Sequence, residues 1–371
     1  MAEPLRILQV VDSLEPGGME NVLAQMVSRM DPSQYTFDIC CLTRGGPFEA
    51  RLPVGTRVHV LGKPAGFSWA AVGALRKLIR GGGFDVIHTR HLGGLIYASL
   101  ACPRAGRPAV VHSEHTIWDG DELSPKRVWQ RRLLYRRAAS VFTVSHEQLK
   151  QIKSLGLKHK RLSTIVNGVD AARFKPASDR AAIRAKLGLD PSLRWFGMVA
   201  RFGAQKRHLD LIDAFEQVAT SISDVGLLLV GDGGPLKERV LARLSQSPFS
   251  GRIHWAGFQQ DPVSWYQSMD ALVISSANEG FPNAVLEGMA CGLPLVANDV
   301  CGVCEISGRG DAHGWIGNFD TVPALAVAIM EAARAPATDL GDKGRRGRAH
   351  VEAFFSLEAM VKAYAHLYTS L

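Results

Sequence analysis

Short, nearly continuous apolar segments alternate with longer amphipathic stretches along the sequence, and this alternation constrains the fold most. Segments of this length and composition are typical of strands buried on both faces of a parallel sheet. The intervals between them have room for helices, which predicts doubly wound α/β domains. In the first half, the predicted strands are Ile7–Val11, Thr36–Leu42, Arg57–Leu61, Phe84–His88, Ala109–His112, Ser140–Ser145 and Arg161–Val166.

The second half repeats the scheme, with predicted strands at Trp195–Ala200, Gly226–Val230, Arg252–Trp255, Ala271–Ser275 and Leu295–Ala297. A length of 371 residues suits two domains at about 100–200 residues each. We place the boundary in the turn-rich segment that starts at Asn167. The predicted domains are residues 1–167 and 168–352, followed by a helix in residues 353–371 that begins after Ser356, a good N-cap.

Composition excludes several classes of protein. Hydrophobic residues make up 46% and charged residues 21%, which argues against a mostly disordered chain. No apolar run approaches the roughly 20 residues needed to cross a bilayer, and no export signal is evident. The six cysteines are too few for a disulfide scaffold, so we expect reduced thiols in a cytoplasmic protein.

The positive charge is concentrated in the first half. Residues 1–166 hold 23 Lys and Arg against 13 Asp and Glu, whereas residues 167–371 hold 20 against 22. This asymmetry suggests a negative partner, either nucleic acid or an anionic membrane surface. The segment Lys126–Arg137 is rich in arginine and aromatic residues, and it could rest on anionic lipid or be an ordinary exposed basic helix.

The segment Glu279–Glu287 carries the strongest chemical signal. Its two terminal carboxylates flank a predicted strand-to-helix turn, and Pro282 suits the first turn of a helix. Amides at a helix N-terminus favour an anion such as a diphosphate. Glu287 could then accept hydrogen bonds from a ribose, and Glu279 could face a sugar. Alternatively, both carboxylates could have only a structural role, Glu279 before the helix and Glu287 on its surface.

Two cations follow the predicted strand Trp195–Ala200. Arg201 can contact a diphosphate through two hydrogen bonds, and Lys206 can act as a point charge, although Lys206 and Arg207 could also be a solvated face. Glycine turns after two other strands would let the backbone approach a phosphate, or could simply be structural. These turns are Gly231–Gly234 and Gly17–Gly18.

Together these residues resemble the retaining glycosyltransferases of family 4, which have the GT-B fold of two Rossmann-like domains facing across a cleft. The resemblance runs through nearly the whole chain, and the order and spacing of its motifs are specific. The motifs are Gly17–Glu20, Phe84–His88, Glu114–Thr116, Val144–Ser145, Ile165–Asp170, Arg201–Lys206, Gly231–Gly234, Gly257–Phe258 and Glu279–Glu287.

The resemblance implies roles for individual residues. Arg201 and Lys206 match the pair that neutralises the donor diphosphate, Glu287 matches the ribose ligand, and Glu279 matches the acidic residue near the transferred sugar. His115 matches the histidine that contacts the donor sugar, with His112 as a competitor. The remaining donor-binding positions implied are Gly18, Gly257, Phe258, Phe281, Pro282, Asn283, Ala284 and Val285.

The resemblance further implies a metal-independent transfer with front-face attack and no cofactor beyond a UDP- or GDP-type nucleotide sugar. The N-terminal domain would bind a glycan or lipid-linked acceptor, with possible contact at the inner face of an anionic membrane and no nucleic acid. The setting that it suggests is bacterial exopolysaccharide or surface-glycan synthesis. The last helix would pack back on the N-terminal domain.

One loop departs from the family pattern, and several alternatives stay open. The family often has paired glycines before a glutamate, whereas here Cys301-Gly-Val-Cys304 precedes Glu305. The two cysteines could be a redox pair or supply two zinc ligands, and the histidines at 88, 91, 112 and 115 could bind a metal. A sugar-nucleotide epimerase shares the architecture, and a nucleic-acid-binding protein would explain the basic half.

Overall fold

The structure, a computed structural model, describes residues 3–103 and 108–371 and divides into two compact units. The first unit comprises residues 1–167 together with Ala359–Leu371, and the second comprises Gly168–Glu358. Each unit contains one parallel sheet with helices packed against it. The prediction of two doubly wound α/β domains is therefore confirmed.

The first unit contains a seven-stranded sheet in the order β3-β2-β1-β4-β5-β6-β7. Strand order reverses between β1 and β4, which are paired in register from Ile7 and Val86. In such sheets this reversal is where ligands bind, beyond the carboxyl ends of the strands. The strands are Leu5–Val11 (β1), Tyr35–Cys41 (β2), Arg57–Val60 (β3), Val86–Arg90 (β4), Ala109–Glu114 (β5), Ser140–Thr143 (β6) and Leu162–Thr164 (β7).

The second unit contains a six-stranded sheet in the order β10-β9-β8-β11-β12-β13, so its reversal lies between β8 and β11. Its core joins the buried faces of these strands to apolar side chains such as Phe215 and Ile329 from the flanking helices. The strands are Arg194–Val199 (β8), Val225–Val230 (β9), Ile253–Trp255 (β10), Ala271–Ile274 (β11), Leu295–Asn298 (β12) and Gly314–Gly317 (β13).

The helices begin and end where local chemistry favours it. The Ser68 side chain accepts a hydrogen bond from the Ala71 amide at the start of one helix, which ends at Gly83 in the left-handed conformation. The helices of the first unit are Gly18–Arg29 (α1), Trp69–Gly82 (α2), His91–Ala101 (α3), Pro125–Leu134 (α4) and His146–Ser154 (α5). Later helices are Arg180–Leu187 (α6), His208–Ser221 (α7), Lys237–Ser245 (α8), Val263–Ser268 (α9), Asn283–Ala290 (α10), Cys301–Ser307 (α11), Val322–Arg334 (α12), Ala337–Phe354 (α13) and Leu357–Thr369 (α14).

Helix α14 begins directly after Ser356, and nearly all of it belongs to the first unit. Tyr364 and Tyr368 on this helix are buried, and the Tyr368 ring contacts Tyr35 and Phe37 of β2 at centroid distances of 6.5 Å. Helix α14, near the end of the sequence, thus packs into the core formed by the first strands of the first unit. Within the described residues, no helix is both long and apolar enough to cross a membrane.

Candidate functional site

Two loops meet at the strand reversal of the second sheet. Lys206 lies in the loop after β8 and Glu279 in the loop after β11, and Lys206 Nζ is 2.5 Å from Glu279 Oε1. Both side chains are largely buried, with 23% and 10% of their surfaces exposed. The structure therefore joins two of the predicted site residues in one ion pair, at the position where a doubly wound sheet binds its ligand.

Further hydrogen bonds hold these two loops together. Ser276 Oγ donates to Glu279 Oε1 at 2.6 Å, so the same carboxylate oxygen accepts from both Ser276 and Lys206. Ser275 Oγ donates to the Lys206 carbonyl, and the Ala277 amide donates to the Gln205 carbonyl, each at 2.8 Å. The positions of Lys206 and Glu279 are thus fixed by backbone and side chain alike.

The other cations of this segment differ from Lys206 in their surroundings. Arg201 is exposed, and its side chain forms no hydrogen bond or ion pair in the part of the chain that the structure describes. Arg207 adopts a left-handed φ of 56° and donates to the carbonyls of Phe319 and Asp320, so it braces the loop. Arg201 is consequently the cation that remains available to an anionic ligand.

Helix α10 begins immediately after Pro282, close in sequence to Glu279. The Glu287 side chain is nearly buried, and its Oε2 accepts a hydrogen bond of 2.8 Å from the Tyr266 hydroxyl. The Val285 amide donates to the Pro282 carbonyl, which uses one of the donors expected for an anion. Asn283 and Ala284 begin the helix, at the end where the helix dipole favours an anion.

Phe281 takes a different place from the polar residues around it. Its ring is buried within the second unit and contacts the Phe355 ring at a centroid distance of 5.8 Å. A contribution of Phe281 to ligand binding would therefore come from its backbone. Its side chain anchors the turn that carries Glu279 and Pro282.

The loops after β9 and β10 border the same edge of the second sheet. The Gly231 amide donates to the Gly257 carbonyl at 2.8 Å, which ties the two loops together. Gly257 has a φ of 66°, a left-handed conformation that favours glycine. Phe258 is 39% exposed beside it, so an aromatic face and a glycine backbone are both accessible there.

The loop that departs from the family pattern contacts the Glu279 segment directly. The Gly302 amide donates to the Glu279 carbonyl at 3.1 Å, and a Cβ atom on Gly302 would lie 2.5 Å from that oxygen. This single glycine permits the close approach. All six cysteines are free thiols; Cys301 is exposed, and Cys304 Sγ donates to Asp299 Oδ1 at 2.6 Å.

In the first unit, the structure distinguishes His112 from His115. Both ring nitrogens of His112 are engaged, Nδ1 with Thr89 Oγ1 at 2.9 Å and Nε2 with Glu114 Oε1 at 3.1 Å, and the residue is fully buried. His115 follows the end of β5 and retains 9% of its surface. His115 is therefore the less deeply buried of the two histidines.

Two other features lie at the corresponding edge of the first sheet. Gly18 is exposed and begins α1 directly after the loop that follows β1. His91 follows β4 with a φ of 60°, unusual for a residue other than glycine, and its ring contacts His115 at a centroid distance of 5.6 Å. Backbone strain of this kind clusters at functional sites.

A buried ion pair that the sequence did not reveal organises the region beneath His112. Glu114 Oε1 accepts from Arg131 Nε at 2.9 Å and from the Tyr135 hydroxyl at 3.0 Å. The Arg131 guanidinium lies 3.8 Å from the centroid of the Trp118 ring. Arg131 thus belongs to the interior.

Potential metal ligands do not cluster. Among the described residues, no three His, Cys, Asp or Glu side chains come together as a metal site. His88 and His115 are joined through Ser113 Oγ, which lies 3.0 Å from His88 Nε2 and 2.8 Å from His115 Nε2. Of the four histidines that the sequence suggested as metal ligands, His88, His112 and His115 therefore take part in hydrogen bonds with their neighbours, and the His91 ring contacts the His115 ring.

Comparison with known proteins gives the chain a family. Glycosyltransferase Family 4 matches residues 16–173, and Glycosyl transferases group 1 matches residues 194–334. The chain belongs to glycosyltransferase family 4. Its fold is the GT-B fold: the structure of Anabaena Alr3699/HepE in complex with UDP-glucose superimposes with a TM-score of 0.86 at 22% identity, over 99% of this chain and 100% of that one.

Curated members of the family act on different sugars. The chain is 28% identical to the Escherichia coli UDP-Gal:alpha-D-GlcNAc-diphosphoundecaprenol alpha-1,3-galactosyltransferase, over 62% of this chain and 61% of that enzyme. It is 26% identical to a Corynebacterium glutamicum GDP-mannose-dependent monoacylated alpha-(1-6)-phosphatidylinositol monomannoside mannosyltransferase, over 97% of both chains. The chain thus spans about three fifths of the first relative and nearly all of the second.

Proposed function

We propose that this member of family 4 is a retaining, metal-independent glycosyltransferase that uses a UDP- or GDP-type nucleotide sugar. The observation that carries the proposal is the arrangement at the strand reversal of the second sheet, where Lys206 and Glu279 pair beside the start of α10. The Arg201 side chain, which has no partner among the described residues, adds a second cation to this edge. No cofactor beyond the nucleotide sugar is proposed.

The chemistry of the donor explains these residue types. When a sugar leaves a nucleotide diphosphate, negative charge grows on the phosphate oxygen. Arg201, Lys206 and the first-turn amides of α10 are fixed groups that would stabilise this charge in the transition state. Glu287 would hold the ribose, and the Tyr266 hydroxyl, which donates to its Oε2, would orient its carboxylate. Gly257 and Phe258 would contact the base.

Front-face transfer fits the surroundings of Glu279. The bond from the anomeric carbon to the diphosphate oxygen breaks, the bond to the acceptor oxygen forms on the same face, and the acceptor proton passes to the leaving phosphate. A covalent glycosyl-enzyme would instead use a carboxylate as nucleophile. Glu279 Oε1 accepts from Lys206 and Ser276, and we propose that Glu279 positions the sugar and Lys206. A glycosyl adduct on Glu279 in intact-protein mass spectrometry would overturn this role.

The first experiment is a thermal-shift panel of UDP, GDP and their sugars, on the wild type and on Glu287→Ala. A stabilisation by one base that disappears in the variant would support the proposal and name the nucleotide. Formation of an isomeric nucleotide sugar without acceptor would instead identify an epimerase. Salt-sensitive binding of random DNA or RNA, with no stabilisation by any nucleotide sugar, would favour a nucleic-acid-binding protein.

Two relatives act on lipid-linked acceptors: one modifies a diphosphoundecaprenol and the other a phosphatidylinositol mannoside. We propose a glycan or lipid-linked acceptor bound by the first unit, in bacterial exopolysaccharide or surface-glycan synthesis. To test the acceptor, the wild type is incubated with a lipid-linked oligosaccharide and its glycosylation is measured. The NMR coupling constant of the new anomeric proton then tests whether the configuration is retained.

Helix α4 supports a reversible contact with an anionic membrane. Because Arg131 is buried and Arg127 pairs with Asp121, neither contributes to the outer face. The exposed residues fall within about a third of the helix circumference at 3.6 residues per turn. They combine cations with apolar side chains, as interfacial helices do. They are Lys126, Trp129, Arg132 and Leu133, and Arg136 is exposed in the turn that follows the helix.

Sedimentation with vesicles tests this contact. We expect more protein to pellet with vesicles that contain phosphatidylglycerol than with phosphatidylcholine alone, and Trp129→Ser with Leu133→Ser to reduce the difference. Val54→Ser is the matched control, because Val54 is fully exposed elsewhere in the first unit. Equal pelleting with neutral and anionic vesicles would count against the proposal.

A further inference from the structure

An arginine without an acidic partner lies inside the first unit, beneath His115. The Arg90 side chain is 1% exposed, and no ion pair joins it to a carboxylate among the residues described. Glu114 does not neutralise it, because Arg90 is in register with Ser113, and successive residues of a strand point to opposite faces. Glu114 instead accepts from Arg131 on the other side of the sheet.

Arg90 donates to His115. Arg90 NH1 lies 3.3 Å from His115 Nε2, and Arg90 NH2 lies 3.4 Å from Gln9 Oε1. A guanidinium has only donors, so His115 Nε2 must accept with its lone pair. In an uncharged ring, the proton then resides on His115 Nδ1.

A chain of hydrogen bonds that runs to helix α14 is compatible with the same tautomer. Because His115 Nε2 then carries no proton, Ser113 Oγ donates to it at 2.8 Å rather than to the Thr89 carbonyl at 3.5 Å, and Ser113 Oγ accepts from His88 Nε2. His88 Nδ1 must then accept from the Tyr368 hydroxyl, at 2.7 Å. Tyr368 in turn accepts from Gln9 Nε2 at 3.0 Å, so every step points in one direction.

We propose that Arg90 is a positioning residue that fixes His115 as an uncharged Nδ1–H hydrogen-bond donor. His115 Nδ1 has no hydrogen-bond partner within the described ranges 3–103 and 108–371. It is therefore the ring atom left to contact a ligand. This role rests on the proposed function, in which His115 contacts a substrate sugar.

The assignment limits what His115 can do in the reaction. An imidazole whose Nε2 lone pair is engaged by Arg90 and Ser113 cannot take a proton there without losing both bonds. His115 is thus a donor to a sugar hydroxyl and not a general base. Burial first, and then the nearby charge of Arg90, hold the pKa of His115 well below its ordinary value, in agreement with this geometry.

Nitrogen-15 NMR of histidine-labelled protein measures the tautomer directly, without any substrate. The His115 signals are assigned by comparison with His115→Gln. At pH 7.5, we expect a protonated Nδ1 and an unprotonated Nε2 in the wild type and in Arg90→Lys, which retains a cationic donor. An Nε2–H or doubly protonated ring in the wild type would overturn the inference, whether or not any Arg90 variant folds.

Kinetics separates positioning from general loss of structure. The probe is release of UDP from UDP-glucose or of GDP from GDP-mannose, whichever the wild type turns over. For Arg90→Met, we expect kcat to fall about tenfold with KM within about twofold, the size of one lost transition-state hydrogen bond. Arg80→Met, at an exposed position of α2, is the matched control and should resemble the wild type.

The NMR and kinetic measurements distinguish failure of the positioning role from failure of the proposed function. An unchanged kcat in a folded Arg90→Met would overturn the positioning role even if the tautomer is as inferred. Absence of donor binding and turnover in the wild type would refute the proposed function, while the NMR result would still decide the tautomer. Tyr368→Phe removes the donor to His88 and should weaken the Nδ1–H preference less than Arg90→Met does.

Discussion

Arg131 and Glu114 form an ion pair at 2.9 Å in which the two side chains expose only 2% and 1% of their surfaces. Breaking such a pair leaves one charge buried without compensation, which costs about 3–5 kcal/mol. We predict this loss for Arg131→Met in urea unfolding. Arg127→Met is the matched control, because Arg127 lies on the same helix as Arg131 but pairs with the exposed Asp121 of the preceding turn. Equal losses in the two variants would contradict the prediction.

Removal of the Lys206 ammonium should slow the reaction far more than it weakens folding. Lys206→Met takes away a fixed cation from the proposed leaving phosphate, and loss of one such donor lowers kcat by about 100-fold or more. Steady-state kinetics with the donor found in the nucleotide panel measures this. Lys186→Met, at an exposed position of α6, should leave kcat unchanged. A Lys206→Met enzyme of normal kcat would refute the role.

Gly302 should not tolerate a side chain. A Cβ atom there would lie 2.5 Å from the Glu279 carbonyl oxygen and 2.6 Å from that of Gly280, and both belong to backbone. We expect Gly302→Ala to cost about 1–3 kcal/mol, as overpacking does, and to reduce donor binding because Glu279 shifts. At Gly251 a Cβ atom meets open space, so Gly251→Ala should be neutral in both measurements.

His208 should make the stability of the second unit dependent on pH. Burial, with a smaller contribution from Lys206, lowers the pKa of His208 to about 4. The unfolded chain therefore binds a proton near pH 6.5 that the folded chain does not, so stability is highest above that pH and falls as pH falls toward 4. The slope from this group is about 1.4 kcal/mol per pH unit.

Urea unfolding of His208→Asn between pH 6.5 and 4.5 isolates this contribution. Its stability should fall less steeply with decreasing pH than that of the wild type, by the slope given above. His366→Asn is the control, because His366 is exposed on α14 and its substitution should not alter the slope. Parallel curves for the wild type and His208→Asn would show that His208 is not buried in its uncharged form.

The strand periodicity predicted both sheets but missed one strand. Strand β13, Gly314–Gly317, has two glycines in four residues and lies at the edge of its sheet. A Cβ atom at Gly314 would lie 2.0 Å from the Leu295 carbonyl oxygen, so glycine is needed for close pairing with β12. A segment with glycines where its backbone must lie close to β12 has too few apolar side chains to show the pattern that identifies a strand.

The candidate site was predictable where its residues adjoin strand ends and not where they meet across the fold. Lys206 and Glu279 follow predicted strands, so their motifs could be located by sequence alone. Arg90, Ser113 and Tyr368 could not, because their relationship depends on the register of β4 with β5 and on where α14 packs. The burial of Arg131 was likewise invisible, since the sequence displays it within a run of surface arginines.

The packing of α14 has a consequence for biosynthesis. Gln9 and Tyr368 hydrogen-bond at 3.0 Å although 359 positions separate them, and both are buried in the first unit. A ribosome must therefore finish the entire second unit before the first can close its polar interior around His88. Until α14 is synthesised, the first unit lacks the helix that carries Tyr368. A chain that stops short of Ala359 would therefore never gain the Tyr368 hydroxyl, which hydrogen-bonds to His88.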